Sequence, residues 1–361
     1  MTKKQTMKTI DKTKPVLLTG ATGYVAGWLV KKLLDEGFTV HAAVRDPENM
    51  EKLMLLNEIA AKSKGKILYF KTDLLEEGSY LEAMKGCELV FHTASPFVTD
   101  VKDPQKELID PAKLGTRNVL KQANKTPSVK RIVLTSSCAA IYGDNEDLAD
   151  TPEGKFTEKE WNTSSSLKHN PYSFSKTLAE KEAWNICEKQ SQWDLVSINP
   201  SLVIGPAIDP NNLTSESFRI IKPFGDGKLK MGLAKLGIGL VDVRDVAEAH
   251  FKAAFTPEAA GRYIISGKNA CYNDIAEALQ PRYGNQYPIP KKEMPKWLIW
   301  LVGPTVNKAV TRKFISGNIG LPFVADNSKS IRDLKMNYRP VEEGLNQMFQ
   351  QLIDSGQLKQ K

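Results

Sequence analysis

The stretch Val16-Leu-Leu-Thr-Gly-Ala-Thr-Gly-Tyr-Val-Ala-Gly-Trp-Leu-Val30 decides the fold, because an apolar run turns on closely spaced glycines into an amphipathic helix. We predict a short buried strand, a tight turn and a helix that begins at Tyr24. In such a turn Gly20 permits the sharp bend and Gly23 lets a phosphate approach the backbone. The free N–H groups and positive dipole of the helix N terminus favour an anion. The pattern favours dinucleotide binding, although Gly-x-x-Gly alone also occurs in other α/β units.

A second predicted strand, Phe38 to Val44, completes a strand-turn-helix-strand unit of about 30 residues. In the NAD-binding version of this unit an acidic residue about 20 positions downstream accepts from the ribose 2′-hydroxyl. Here Arg45 follows the strand, and Lys52 comes seven residues later. A guanidinium can grip a 2′-phosphate with two parallel charge-assisted bonds. This placement favours NADP(H) with NAD(H) also usable, and a solvated Arg-Asp-Pro turn is the alternative.

Further polar or small residues follow the predicted strands. Asp73-Leu74 comes after the third strand, where the carboxylate can accept from an adenine amino group or cap a helix. Thr93-Ala94-Ser95-Pro96 follows the fourth strand, and small side chains there let the backbone run beside a cofactor. Pro200 to Pro206 follows the sixth strand and includes Val203. The carboxyl ends of parallel strands share one edge of a sheet, so all these residues should border one crevice.

A helix beginning at Pro171 carries Tyr172 and Lys176 four residues apart, on the same face of the helix. Reduction of a carbonyl needs a hydride on its carbon and a proton on its oxygen. A tyrosine hydroxyl can donate that proton. The ammonium of Lys176, one turn away, should favour the tyrosinate and lower the pKa of Tyr172. The spacing therefore predicts a catalytic pair.

Strands and helices alternate over the first 200 residues, which predicts an α/β fold with a doubly wound parallel sheet (Rossmann) and a smaller C-terminal α/β substrate domain. We expect a flexible basic tail over 1–14, the dinucleotide-binding domain with the catalytic residues over 15–205, and a mainly substrate-binding part over 206–361. Residues 240–255 should return to the Rossmann core.

Two helical segments carry more detailed expectations. In the helix predicted from Pro104 to Asn124, Leu114 should face inward together with Val119 and Leu120, and Pro111 should bend or interrupt the helix. The segment Met294 to Gly303 has two tryptophans in a Leu/Ile/Val stretch. A core helix of the smaller domain is favoured there, with a membrane-touching or substrate-covering helix as the alternative.

Composition limits the class of protein. The chain has 361 residues, 41% hydrophobic and 25% charged, and a formal charge of +8. Half of that charge comes from five lysines and one aspartate in the first 14 residues, which indicates a solvated tail and no nucleic-acid partner. We see no secretory signal and no apolar run long enough to span a membrane. The scattered cysteines and histidines lack metal-binding spacing. We expect a cytoplasmic protein, monomeric or homodimeric.

Taken together, Thr19-Gly-x-x-Gly23, Asp73, Ser136-Ser137, Tyr172-x-x-x-Lys176 and Pro200 resemble the extended short-chain dehydrogenase/reductase superfamily, whose members share the NAD-dependent epimerase/dehydratase fold. The nearer resemblance is to the dihydroflavonol reductase and cinnamoyl-CoA reductase branch. It extends over about residues 14 to 270 and includes Ser175-Lys-Thr-Leu-Ala-Glu180 and Val203-Ile-Gly-Pro206.

The resemblance implies a nicotinamide cofactor and a catalytic group of Ser137, Tyr172 and Lys176, with Ser136 as the alternative serine. It also implies that Lys176 binds the nicotinamide ribose. The expected cofactor contacts are Thr19, Gly20, Thr22, Gly23, Tyr24, Val25, Arg45, Lys52, Asp73, Leu74, Thr93, Ala94, Ser95, Tyr172, Lys176, Pro200 and Val203.

Two departures from the branch restrict the substrate. Cinnamoyl-CoA reductases carry Asn-Trp-Tyr-Cys-Tyr-Gly-Lys around the tyrosine, whereas this chain has His169-Asn-Pro-Tyr-Ser-Phe-Ser-Lys176. Dihydroflavonol reductases carry Asn or Asp after the catalytic serine, whereas this chain has Ile141-Tyr142. We therefore expect an NADP(H)-dependent carbonyl reductase or alcohol dehydrogenase for small to medium aldehydes or ketones. A nucleotide-sugar epimerase or dehydratase and a non-catalytic cofactor sensor are the alternatives.

Overall fold

The computed structural model describes residues 8–95, 101–306 and 310–360. Within them the main sheet is built from β1 (Val16–Thr19), β2 (Thr39–Val44), β3 (Lys66–Lys71), β4 (Leu89–His92), β5 (Arg131–Thr135), β6 (Asp194–Pro200) and β9 (Gly261–Ile265). The strands pair in parallel in the order β3-β2-β1-β4-β5-β6-β9. The order reverses between β1 and β4, which confirms the predicted doubly wound α/β fold.

A smaller sheet contains β7 (Leu202–Ile204), β8 (Gly237–Asp242) and β10 (Lys268–Cys271), with β8 in the middle. The helices are α1 (Tyr24–Asp35), α2 (Met50–Lys62), α3 (Leu81–Met84), α4 (Asp110–Asn124), α5 (Pro171–Cys187), α6 (Glu216–Ile221), α7 (Val243–Phe255), α8 (Tyr272–Tyr283), α9 (Lys296–Val306), α10 (Arg312–Asn318), α11 (Ser328–Leu334) and α12 (Val341–Asp354). A separate apolar core joins the small sheet to α6, α8 and α12.

Helices cover both faces of the main sheet because its strands are apolar on both sides. Val16 and Leu18 pack into the core with α1, α2 and α7, whereas Leu17 between them packs with α3, α4 and α5. Strand β3 lies at one edge of the sheet, and exposed lysines stand at both of its ends. Such charges discourage pairing with another strand.

Segments from the C-terminal half complete the dinucleotide-binding unit. Helix α7 packs against α1, β9 adds the seventh strand, and Leu334 of α11 lies in the same core. The buried Arg131 on β5 donates to both carboxylate oxygens of Asp194 on β6, over 2.8 and 3.0 Å. Arg131 also donates to backbone carbonyls at the C-terminal end of α7, at Ala253 and Thr256. One paired charge therefore links two strands to the helix that returns to the sheet.

The predicted flexible tail differs from the structure where it is described. Ile10 is buried, and the Asp11 N–H donates to the Glu88 carboxylate over 2.9 Å. The Lys12 ammonium lies 5.4 Å from the centre of the Phe255 ring. Lys8 also donates to the Ser191 carbonyl oxygen over 3.1 Å, so residues 8–14 are held against the rest of the protein by apolar and polar contacts.

Leu114 is a correction to the predicted core. Its side chain is 43% exposed, whereas Val119 and Leu120 are fully buried. Five residues rotate a helix by about 140° from one face to another, so Leu114 and Val119 do not share a side. The interruption predicted at Pro111 is present as a π-helical turn, Gln105–Ile109, just before α4.

The expectation of a core helix at Met294 to Gly303 holds for one side of α9 only. Ile299 is buried in a small cluster with Ile315 and Ile319 of the α10 region. On the other side Trp297 and Leu301 are 68% and 57% exposed. The apolar character of this segment thus exceeds what its packing in the described residues requires.

Candidate active site

The parallel sheet places the predicted site residues along one edge. Gly20 follows β1, Arg45 follows β2 and Asp73 lies two residues after β3. On the other side of the reversal Thr93 follows β4, and Ser137 lies two residues after β5. All five positions are at carboxyl ends of neighbouring parallel strands. The crevice of a doubly wound sheet lies there, at the point where the strand order reverses.

The glycine turn has the form that a dinucleotide phosphate needs. Gly20 has φ +68°, and a Cβ added to it would come within 3.0 Å of the Ala94 Cα. Gly23 is exposed and is the N-cap residue of α1, with no side chain capping the helix and no acid in its first turn. The open N–H groups and the close backbone approach suit an anion and exclude larger side chains. The residues present therefore fit a dinucleotide cofactor.

Thr19 connects the two strands at the reversal. Its hydroxyl accepts from the N–H groups of Thr93 and Ala94 over 3.1 and 3.0 Å. It also lies 3.0 Å from Nδ1 of the buried His92. The Thr93 hydroxyl donates to the Thr19 carbonyl oxygen. These bonds hold the loop after β4 against the glycine turn, so Thr19 fixes the relative position of the two loops that border the crevice.

Arg45 and Lys52 lie on the rim beyond the glycine turn. Both are exposed, and neither side chain has an ion pair or hydrogen bond within the described residues. Asn49 caps α2 by accepting from the Lys52 N–H over 3.1 Å, so the helix starts at Met50. The two cations are thus held at the end of β2 and the start of α2, with their charges available.

Asp73 and Leu74 form a turn after β3. The Asp73 carboxylate accepts from the Leu75 N–H over 2.8 Å, so it caps this turn and not a helix. The Leu74 side chain fills the space beside Gly115 of α4, where a Cβ would come within 2.4 Å of it. Asp73 is exposed at the sheet edge, and Leu74 anchors the turn that carries it.

The remaining predicted cofactor residues lie around α1 and after β6. Thr22 is exposed in the glycine turn, and Val25 is half-buried at the start of α1. Tyr24 turns its side chain away from the turn, because its hydroxyl donates to the Gly205 carbonyl oxygen over 2.6 Å. Pro200 is the buried last residue of β6, and Val203 pairs with Val241 in the small sheet. The structure describes Ser95 but not Pro96.

Ser137 and Tyr172 are brought together from different elements. The Ser137 hydroxyl is near enough to Tyr172 to lower the pKa of that tyrosine, and the Ser137 oxygen accepts from the Ala139 N–H over 3.1 Å. Ser137 is the N-cap residue of a short 3₁₀ turn, Cys138–Ala140. Tyr172 lies in the first turn of α5 and is 52% exposed. A reacting carbonyl oxygen can reach both hydroxyl groups from the open side.

Lys176 lies one turn further along α5. Its ammonium donates to the Ser95 hydroxyl over 2.8 Å and lies 5.6 Å from the centre of the Tyr172 ring. Burial, and to a lesser degree the Lys176 charge, lowers the pKa of His92 to about 3, so that this histidine is neutral. Lys176 therefore connects α5 with the loop after β4.

The pKa of Tyr172 departs from the expectation based on Lys176. Desolvation of the hydroxyl raises the pKa of Tyr172 to about 12 even though the side chain as a whole is 52% exposed, and the Glu216 carboxylate acts in the same direction. The nearby Ser137 hydroxyl opposes them and lowers the pKa. Burial also lowers the pKa of Lys176 to about 8. The Lys176 ammonium is not among the groups that act on the pKa of Tyr172, and a tyrosine with a pKa of about 12 is protonated at neutral pH.

Ser136, the alternative serine, is directed into the protein. It is buried, and its hydroxyl donates to the carboxylate of Glu180 on α5. The same carboxylate accepts from Asn199 over 2.7 Å and from Arg262 of β9 over 2.7 Å. Asn199 in turn donates to the Ser137 carbonyl oxygen over 3.1 Å. The geometry leaves Ser137 as the serine that faces the crevice.

Arg262 extends this network to the loop around the site. It donates to the Ala140 carbonyl oxygen over 3.2 Å and stacks 4.0 Å above the Trp161 ring. Glu180 and Arg262 are 82 residues apart, so sequence reasoning did not pair them. The sequence did contain one sign of this network. Glu180 is a charged residue four positions after Lys176, on a helix face that also carries Tyr172.

A second buried network, not predicted from the sequence, fixes the start of α5. Asp144 is fully buried and accepts from Asn170 over 2.9 Å and from Asn318 of α10 over 2.6 Å. His169 Nε2 lies 2.5 Å from the same carboxylate. Asn170 has a left-handed backbone, φ 51°, which is uncommon outside glycine and costs energy unless neighbours support it. These bonds hold the turn from which Pro171 and Tyr172 enter the helix.

A cavity of about 160 Å³ lies beside the catalytic group. Its lining includes Tyr142, Ser173, Leu236, Ile238, Phe314 and Asn318. Ser173 directly follows Tyr172, and the other wall comes from the small sheet and α10. Tyr142 stacks on Phe156 with 4.7 Å between ring centres, which fixes its position. The cavity is mostly apolar and has room for a side chain of modest size.

Comparison with known proteins agrees with this arrangement. A model of the NAD dependent epimerase/dehydratase family matches residues 16–266. Cinnamoyl-CoA reductase CAD2 of Medicago truncatula is 42% identical over 271 residues, 74% of this chain and 80% of that protein. A putative anthocyanidin reductase of Ginkgo biloba is 40% identical over 297 residues, 80% of this chain and 85% of that protein. The crystal structure of yeast methylglyoxal/isovaleraldehyde reductase Gre2 with NADPH is 26% identical, with a TM-score of 0.74 over 95% of this chain and 100% of that chain.

The Glu180 network should dominate the stability of the site. Glu180→Met keeps an unbranched side chain but leaves the donors of Arg262, Ser136 and Asn199 without a carboxylate. Breaking a buried ion pair from one side costs about 3–5 kcal/mol of the free energy of unfolding. Urea unfolding monitored by circular dichroism measures the loss.

Glu182→Met is the matched control on the same helix. Its partner Arg117 has a side chain 34% exposed, and such pairs contribute about 1 kcal/mol or less. Equal losses in the two variants would contradict the central position given to Glu180.

Proposed function

The chain belongs to the NAD dependent epimerase/dehydratase family, in the branch of dihydroflavonol and cinnamoyl-CoA reductases, and from this we propose that it is an NADP(H)-dependent carbonyl reductase. It reduces a small to medium, partly apolar aldehyde or ketone to an alcohol. The observation that carries the proposal is the placement of Ser137, Tyr172 and Lys176 beside the glycine turn, where the strand order reverses.

Related proteins support a reductase. The plant relatives are named as reductases of cinnamoyl-CoA, of anthocyanidin and of dihydroflavonol. The structural neighbour from yeast is a methylglyoxal/isovaleraldehyde reductase complexed with NADPH. Their substrates differ in size and chemistry, but each reaction named is a reduction. The relatives therefore support a reductase activity, and they do not identify the particular carbonyl compound.

The mechanism assigns one task to each catalytic side chain. A bound nicotinamide supplies the hydride to the carbonyl carbon. Tyr172 donates its proton to the carbonyl oxygen, since its raised pKa keeps it protonated. The Ser137 hydroxyl holds that oxygen beside Tyr172. Lys176 is charged below about pH 8, and its ammonium stabilises negative charge on Tyr172 after the proton has left.

The cofactor contacts follow the crevice. The turn from Thr19 to Gly23 and the N terminus of α1 hold the pyrophosphate, and Arg45 with Lys52 holds a 2′-phosphate. Lys176 and Ser95 border the ribose of the nicotinamide. Arg45 stands directly after β2, where the NAD-binding version of this unit has an acid, and this favours NADP(H), although NAD(H) remains usable at lower affinity.

The substrate class rests on the cavity and on two sequence departures. A cavity of about 160 Å³ with aromatic and aliphatic walls suits a compact apolar group. Around Tyr172 the chain lacks the signature of the cinnamoyl-CoA reductases, and Tyr142 occupies the position of the flavonoid-specific Asn or Asp. Simple aldehydes and ketones are therefore the proposed substrates.

A substrate screen tests the proposal. NADPH oxidation is followed at 340 nm with aliphatic and aromatic aldehydes, ketones, cinnamoyl-CoA, dihydroflavonols and nucleotide sugars. We expect kcat/KM to be highest for simple aldehydes or ketones. Efficient reduction of a CoA thioester with inert small carbonyl compounds would contradict the substrate class but not the reductase. Turnover of nucleotide sugars alone would contradict both.

Tyr172→Phe tests the proton donor. The variant keeps the ring and its packing but lacks the hydroxyl, so it should fold and bind NADPH while kcat falls by about 10²–10⁴-fold. Steady-state kinetics and fluorescence titration with NADPH separate turnover from binding. Ser136→Ala serves as the control, because that hydroxyl faces Glu180 and its loss should leave kcat within a few-fold. Near-normal turnover of Tyr172→Phe would show that the Tyr172 hydroxyl is not the proton donor and that α5 does not carry the catalytic pair.

Arg45→Ala tests the cofactor preference. A charge-assisted bond to a phosphate contributes about 1.5–3 kcal/mol, so affinity for NADPH should fall by about tenfold to a hundredfold while that for NADH changes little. Lys52→Ala, on the same rim, should have a smaller effect. Dissociation constants for both cofactors measure the change. Equal use of NADPH and NADH by the unmodified protein would show that Arg45 is only a turn residue.

A further inference from the structure

Helix α9 presents an apolar face outward. Trp297, Trp300 and Leu301 are 68%, 42% and 57% exposed, and their spacing places them on one side of the helix. We call these three residues the α9 face. The opposite side holds Ile299, which packs against Ile315 and Ile319. The helix therefore has apolar side chains on both sides, and its own packing uses only one of them.

Contacts with α10 fix the position of α9 while the α9 face stays exposed. The guanidinium of Arg312 lies 4.4 Å from the centre of the Trp300 ring and covers one side of it. The Lys296 ammonium donates to the Ser316 carbonyl oxygen over 3.0 Å, which links α9 to α10. Clusters of large exposed apolar side chains usually mark a contact surface in a soluble protein.

Positive charge surrounds the α9 face. Exposed cations stand before, within and after the helix, at Lys291, Lys292, Lys296, Arg312 and Lys313. In the sequence between Pro290 and Phe314 the single acid is Glu293. Like the first 14 residues of the chain, this segment therefore carries a net positive charge. The α9 face therefore fits a partner whose surface combines an apolar layer with negative charge.

We propose that the α9 face docks on the surface of a lipid bilayer that contains anionic headgroups. Tryptophan rings favour the level of the headgroups, where one edge is wet and the other is apolar. Lysine and arginine side chains beside them pair with lipid phosphates. Helix α9 has 11 residues, and no helix in the described residues is long and apolar enough to cross a bilayer. It therefore lies in the plane of the interface.

A second copy of the chain fits this surface less well. A two-fold contact through the α9 face would bring the same cations of both copies together, and like charges across an interface are costly. A stable protein interface also uses about 20–30 residues on each side, far more than this face offers. A lipid surface needs only a few inserted side chains and opposite charge.

Vesicle binding by the full-length protein tests the proposal, and it needs no turnover. Sedimentation is compared for vesicles of phosphatidylcholine alone and of phosphatidylcholine with phosphatidylglycerol. We expect binding to the anionic vesicles only, with a blue shift of tryptophan fluorescence. The double variant Trp297→Gln/Leu301→Gln should reduce partitioning by at least about tenfold. Both side chains point outward, so the variant should keep its circular dichroism spectrum.

Two further double variants distinguish insertion of the α9 face from electrostatic attraction and from nonspecific hydrophobic adsorption. Lys292→Gln/Lys313→Gln should weaken binding by about fivefold for each cation removed, and added salt should have the same effect. Met50→Gln/Met54→Gln on α2 is the control, since these methionines are 64% and 54% exposed but lie far from α9 in the sequence. It should bind vesicles like the unmodified protein.

Three outcomes would overturn the proposal. One is no binding of the unmodified protein to anionic vesicles. Another is equal loss of binding in the α9 and α2 variants. The third is a concentration-dependent dimer in analytical ultracentrifugation that the α9 variant abolishes, which would assign the face to a second copy. Loss of reductase activity in any of these variants bears on the proposed function and not on docking.

Discussion

The buried carboxylate of Glu180 is the interaction on which the site depends. It receives hydrogen bonds from the end of β5, from β6, from β9 and from within α5. Burying a single charge is costly, and Arg262 with the surrounding donors offsets that cost only in one geometry. Because the carboxylate lies one turn after Lys176, the same geometry sets the position of α5 relative to the sheet.

The doubly wound sheet supplies the frame in which that constraint acts. The carboxyl ends of six neighbouring strands form one edge, so short loops from distant parts of the chain border one crevice. Where the strand order reverses, the Thr19 hydroxyl lies 3.0 Å from Nδ1 of His92. Gly20 has no side chain, which lets Ala94 approach its backbone closely. The C-terminal part then adds the small sheet and α10, which wall the cavity beside Tyr172. Cofactor and substrate regions thus meet at the start of α5.

Strain and desolvation are concentrated at this meeting point. Asn170 adopts a left-handed conformation immediately before Pro171, and bonds to Asp144 and Gly143 hold it there. Burial raises the pKa of Tyr172 to about 12 and lowers that of Lys176 to about 8. Both changes reflect the loss of water around the charged form of each group. Two buried polar networks hold this part of the chain, one around Glu180 of α5 and one around Asp144, which fixes the turn before the helix.

The amino-acid sequence by itself determined the order of strands and helices, the glycine turn and the spacing of Tyr172 and Lys176, since these depend on local periodicity and turn chemistry. The second predicted strand, Phe38 to Val44, differs from β2 of the structure by one residue at its start. Only the tertiary structure directed the Ser136 hydroxyl to Glu180, left Leu114 exposed, and paired Glu180 with an arginine 82 residues away. Those outcomes depend on which distant side chains share a buried volume, and no local pattern records that.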